Sequence, residues 1–144
     1  MDFKWKEEQT YTVEILPGGL TSFINTPNDT ILQDYKILPK EDFAELSLKV
    51  DSLNLNQSYL IQLLTKTQNL VKEEIVTGTA TFEKVYSNLK PTDYVIKIIE
   101  DGNQNGRWDS GNYDSKRRPE RVFDADIETL RPNWTVEAEL RLSF

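Results

Sequence analysis

A mostly β chain folded as an antiparallel β-sandwich is predicted here by three observations. Apolar and polar residues alternate with a period of two, the alternating runs are short and bounded by turn residues, and no segment sustains a 3.6-residue apolar period. A strand of that pattern covers a core on one face and meets water on the other.

The strands are expected in the following order. Tyr11, Val13 and Ile15 alternate with Thr12 and Glu14, and residues 31–38 follow as a second run. Ala44, Leu46, Leu48 and Val50 alternate with Glu45, Ser47, Lys49 and Asp51. Residues 58–65 come next, although Tyr59 to Leu64 is apolar enough to pass for a buried helix turn. Further runs are expected at 70–77, 79–86, 94–100 and 121–130. The C-terminal run is the cleanest, with Val136, Ala138, Leu140, Leu142 and Phe144 on one face and Glu137, Glu139, Arg141 and Ser143 on the other. Turn signals separate them at Leu16-Pro17-Gly18-Gly19, Thr26-Pro27-Asn28-Asp29, Lys90-Pro91-Thr92-Asp93 and Arg131-Pro132-Asn133.

Composition narrows the function classes. A chain of 144 residues with 38% hydrophobic content suits one domain, or one domain plus a fragment, with a real core. No run approaches the ~20 apolar residues of a membrane span, and the start, Met1-Asp2-Phe3-Lys4-Trp5-Lys6, lacks the apolar core of a signal peptide. That start leaves open a longer, exported parent. A net charge of −7 argues against nucleic acid as a partner, because phosphates call for a basic surface. With neither cysteine nor histidine, thiol nucleophiles, Ser-His catalysis and the usual zinc sites are excluded, and the redox compartment stays undetermined. Carboxylate or lysine chemistry remains open, and spacing alone identifies neither.

The stretch Asp101-Gly102-Asn103-Gln104-Asn105-Gly106-Arg107-Trp108-Asp109 places oxygen-bearing side chains two residues apart and adds a glycine for a sharp bend. A calcium loop draws ligands from its positions one, three, five, seven and nine, with glycine at six. Asp101, Asn103, Asn105, the Arg107 backbone carbonyl, Asp109 and Gly106 occupy those places, and Asn112 stands where a bidentate Glu is expected. The same residues also compose an ordinary turn, in which Asn side chains bond their own backbone and glycine accepts positive φ. The nearby Lys116-Arg117-Arg118 run competes with a cation.

Two further constellations carry candidate chemistry. Trp5, Trp108 and Trp134, with six tyrosines, are the material of a sugar-stacking platform or of a core. Asp124, Asp126 and Glu128 fall on one strand face opposite Phe123, Ala125 and Ile127, as a cation or acid/base group or as a charged face that discourages edge pairing. Glu73 and Glu74 read as surface, on opposite faces of a strand.

Thr81-Phe82 through Asn88-Leu89-Lys90-Pro91, then Tyr94 to Asp101, resembles a stretch of prealbumin-like repeats, which include transthyretin-like and collagen-adhesin B-type modules. The continuation DGNQNGRWDSGNY, with Arg118-Pro119-Glu120-Arg121-Val122 and Asn133-Trp134-Thr135-Val136-Glu137, is similar to the C-terminal module of Bacteroidetes envelope lipoproteins that carry an Ig-like domain. Thr92 stands where that pattern has glycine. The resemblance implies an Ig-like or prealbumin-like sandwich over residues 39–144, with residues 1–38 similar to the terminal strands of a truncated bacterial Ig-like domain. It also implies an exported, cell-envelope setting with a lipid-anchored parent.

The expectation is therefore a non-catalytic structural or interaction module of a cell-envelope protein, with calcium as its candidate ion at Asp101, Asn103, Asn105, Arg107, Asp109 and Asn112. Its expected partners are neighbouring domains of the parent and a glycan or protein ligand, without nucleic acid or membrane contact by this chain. The alternative is a carbohydrate-binding module of a polysaccharide-utilisation system.

Overall fold

The computed structural model describes residues 3–144. Met1 and Asp2, which open the expected 1–38 segment, lie outside the described residues. The chain divides into two compact units, one ending at Lys40 and the other comprising Glu41–Phe144; the boundary expected from the sequence falls after residue 38.

The first unit holds strands β1 (Thr10–Ile15) and β2 (Ile31–Lys36), paired antiparallel with Ile15 opposite Ile31 and Tyr11 opposite Tyr35. That register collects Tyr11, Val13, Ile15, Ile31 and Tyr35 on one face. Phe3, Trp5 and Tyr11 meet edge-to-face at centroid distances of 4.8, 5.3 and 4.9 Å. No described residue of this unit is buried.

The second unit is a β-sandwich. Strands β3 (Ala44–Asp51), β4 (Ser58–Thr65), β5 (Leu70–Thr77), β6 (Thr81–Leu89), β7 (Tyr94–Asp101), β8 (Val122–Asp126) and β9 (Thr135–Arg141) form a three-stranded sheet, β6-β3-β9, and a four-stranded sheet, β5-β4-β7-β8. Leu46, Leu48 and Val50 from β3 face Ile61 and Leu63 from β4 and Ile96 and Ile98 from β7, all at 1% exposure or less. Burial of each such side chain favours folding by about 1.5–3 kcal/mol.

Three details depart from the expected pattern. The β3–β9 pair is parallel, with Leu46 beside Val136 and Val50 beside Leu140, whereas an antiparallel sandwich was expected throughout. No hairpin links these two strands, so their relative direction follows from the chain's crossing between sheets after β8 rather than from a turn. The expected 121–130 strand pairs only over Val122–Asp126. Beyond it Ile127 N–H donates to the Tyr94 carbonyl and Leu130 N–H to the Thr92 carbonyl, and both side chains are buried in the core. Finally β6 starts at Thr81, because Gly78 turns the chain at φ 72 and Thr79 Oγ1 bonds the Thr81 carbonyl.

The unbroken apolar run in β4 has a direct cause. β4 is an interior strand buried on both faces: Ile61 and Leu63 reach the core, while Leu60 (1% exposed) is also buried on the outer face.

Candidate functional site

The pairing that sends Val95, Lys97 and Ile99 to the outer face of the four-stranded sheet sends Asp101 there too, at the end of β7. Its carboxylate is 1% exposed. One oxygen accepts the Asn105 N–H at 3.1 Å and the other the Gly106 N–H at 2.7 Å. Those two bonds fold the chain back at once, and the bend requires left-handed backbone at Gln104 (φ 58) and Gly106 (φ 73). Asn103 Oδ1 accepts the Asn105 N–H at 3.1 Å, and Asn105 Oδ1 accepts the Arg107 N–H at 3.0 Å. These are Asx turns in series.

Asp109 closes the loop. Its Oδ2 accepts from the side-chain amides of Asn103 and, at 2.9 Å, Asn105. Arg117 and Arg107 lie 3.7 and 3.8 Å from its carboxylate. The Asn103 amide is the main reason the Asp109 carboxyl is held below its ordinary value; burial opposes it next most strongly, and the Asn105 amide and both guanidiniums add smaller lowering effects.

Sequence reasoning missed Glu120, which fastens the loop to the sheet. Its carboxylate accepts the Gly102 N–H and the Asp109 N–H, each at 2.9 Å, and its backbone carbonyl accepts the Trp108 indole N–H at 3.2 Å. Glu120 lies far beyond the regular spacing of the loop, so no local pattern could have marked it. The only signal was its place just ahead of β8, the strand that returns alongside β7.

Of the six expected ligand residues, the side chains of Asp101, Asn103, Asn105 and Asp109 are brought together. Arg107 contributes its N–H to Asn105 and its guanidinium to Asp109. Asn112 is engaged in a second turn, where its Oδ1 accepts the Ser115 N–H at 2.9 Å and its backbone pairs with Arg117. Among the described residues no three Asp or Glu side chains converge as a metal group. A cation held here would take most of its shell from amide and backbone oxygens, the hard donors calcium accepts.

Of the other constellations, Asp124 and Asp126 share the outer face of β8, and the three tryptophans are dispersed over different segments. Asp126 pairs with Lys66 at 2.9 Å and Asp124 lies 4.0 Å from Lys97, while Glu128 lies past the end of β8. Trp108 lines a groove of about 480 Å³ on the four-stranded sheet. Trp134 precedes β9 of the other sheet, with the Arg131 guanidinium 5.4 Å from its ring centroid. Trp5 belongs to the first unit.

Comparison with family models, with curated proteins and with solved structures returned no match.

Proposed function

We propose that this chain is a non-catalytic structural or interaction module of an exported cell-envelope protein, in which the 101–121 loop is a rigid clasp reinforced by calcium. The observation that carries this reading is Asp101. A buried carboxylate with both oxygens committed to backbone amides shapes the chain instead of acting on a substrate. Asn103, Asn105 and Asp109 repeat that use of side chains on neighbouring groups.

Calcium fits the donor chemistry through Asp101, Asp109 and the two Asn amide oxygens, once the amides turn those oxygens inward. Arg107 and Arg117 offset the charge of Asp109, so the site belongs to the weak class, about 10⁻⁴–10⁻³ M, typical of extracellular modules. The envelope setting rests on the resemblance of residues 79–137 to lipoprotein modules.

The test is thermal unfolding of the wild type and Asp101→Ala in EDTA and in excess calcium. Calcium at ~100 times its dissociation constant adds about 2.7 kcal/mol to the folded state, raising the wild-type midpoint by roughly 5–20 °C. Asp101→Ala is expected to abolish that rise and, in EDTA alone, to lower the midpoint. No calcium response would reject the ion, and an unchanged midpoint for Asp101→Ala in EDTA would reject the clasp.

A further inference from the structure

The outer face of the four-stranded sheet carries two side-chain rows that cross all four strands. Ile75, Leu60, Ile99 and Val122 stand directly opposite one another from β5 to β8. Two residues along, Glu73, Gln62, Lys97 and Asp124 do the same. With strands about 4.8 Å apart, the polar row is about 14 Å long. Trp108 lines the groove over both rows, its indole fixed by the 3.2 Å bond to the Glu120 carbonyl and still 48% exposed.

We propose that this groove binds an uncharged, β-linked saccharide chain, with one pyranose ring stacked on Trp108 and its hydroxyls on the polar row. A β-linked glucosyl or xylosyl ring has flat C–H faces that suit an indole, and a rim of hydroxyls that both donate and accept. The row matches that rim. Gln62 Nε2 donates to Glu73 Oε2 at 2.7 Å and Lys97 Nζ to Gln68 Oε1 at 3.0 Å, so donors and acceptors alternate with capacity left over. Glu73 and Asp124 are balanced by Lys97 and Arg107 along the lining, which favours a neutral ligand over an acidic polysaccharide. An extended peptide would find its main-chain partners at a sheet edge, not on a face whose backbone is already paired. This inference is independent of the calcium reading, since it uses the strand faces and one indole.

The experiment is titration of the full chain with cellohexaose, xylohexaose and an oligogalacturonate, with and without calcium, followed by tryptophan fluorescence and calorimetry. A neutral hexasaccharide is expected to bind and shift the emission. Loss of the aromatic anchor in Trp108→Ala is expected to weaken binding by about 30-fold. Gln62→Ala and Asp124→Ala should each weaken it by about 2- to 12-fold, and Trp134→Ala should leave it unchanged. Because Trp108 also covers the apolar row, the two strand variants test the groove without disturbing the loop. Absence of heat and emission change with both neutral sugars, binding that survives Trp108→Ala, Gln62→Ala and Asp124→Ala, or preference for the charged oligomer would each overturn the proposal.

Discussion

Lys84 Nζ lies 3.3 Å from Glu74 Oε1, joining edge strand β6 of one sheet to edge strand β5 of the other. Glu74 stands opposite Ile61, on the core face of its sheet, while its neighbour Glu73 faces outward beside Gln62. Two adjacent glutamates that look alike in sequence thus have different surroundings. The pair is partly exposed, at 47% and 32% for its two side chains, so its net contribution is small, about 0–1 kcal/mol.

Its clearer effect is on Tyr86. Burial first, then the Glu74 charge, pushes the Tyr86 hydroxyl from 10.0 up to about 12. The folded state therefore holds a proton that the unfolded chain loses earlier. The stability this provides is complete below pH 10.0 and is lost as pH rises from there through about 12. The loss amounts to about 2 kcal/mol by that pH. Absorbance titration of tyrosinate is expected to show a late step from Tyr86 that Tyr86→Phe removes, while Tyr94, whose hydroxyl burial also raises, keeps its own delayed ionisation. Glu74→Gln should advance its titration only in part, because burial is the larger cause; full return to the ordinary range would contradict that ranking.

A glycine without unusual dihedrals holds the second turn together. A Cβ at Gly111 would lie 2.8 Å from the Arg117 carbonyl oxygen and 2.9 Å from Pro119 Cδ, and neither backbone nor proline ring can step aside cheaply. Gly111→Ala should therefore cost about 1–3 kcal/mol by overpacking. Gly102→Ala, whose Cβ meets only Glu120 Oε1 at 3.9 Å, should stay within about 0.5 kcal/mol of wild type. Urea unfolding of the two variants decides this, and equal midpoints would show that the close approach is dispensable.

Every residue of the core cluster belongs to Glu41–Phe144. Expressed alone, residues 41–144 should melt cooperatively at the midpoint of the whole chain. Residues 1–40 alone should give no cooperative transition, since a two-stranded sheet without a buried residue is marginal in water. A cooperative melt of the 1–40 peptide would overturn this account.

The sequence was most legible where period-two alternation met a single core. β3 and the start of β9 lie within a residue of their expected positions because one-sided burial imposes a pattern that can be counted, and β4 and β5 match as well, β4 as an unbroken apolar run bounded by turn residues. The run at 121–130 was overextended, since Ile127 continues the alternation although the backbone has already left the sheet. Within the loop, Asp101, Asn103, Asn105 and Asp109 could be selected by spacing, whereas Glu120 could not.

By itself, then, the sequence determined the β class, most strand positions and which residues compose the 101–109 turn, all of which rest on local backbone preference and side-chain periodicity. Only the tertiary structure decided that β9 runs parallel to β3, that Glu120 fastens the loop, and that Glu73, Gln62, Lys97 and Asp124 form one row. These relations join residues far apart in the chain, and strand register and direction are set by what a shared core can bury, not by neighbours in sequence.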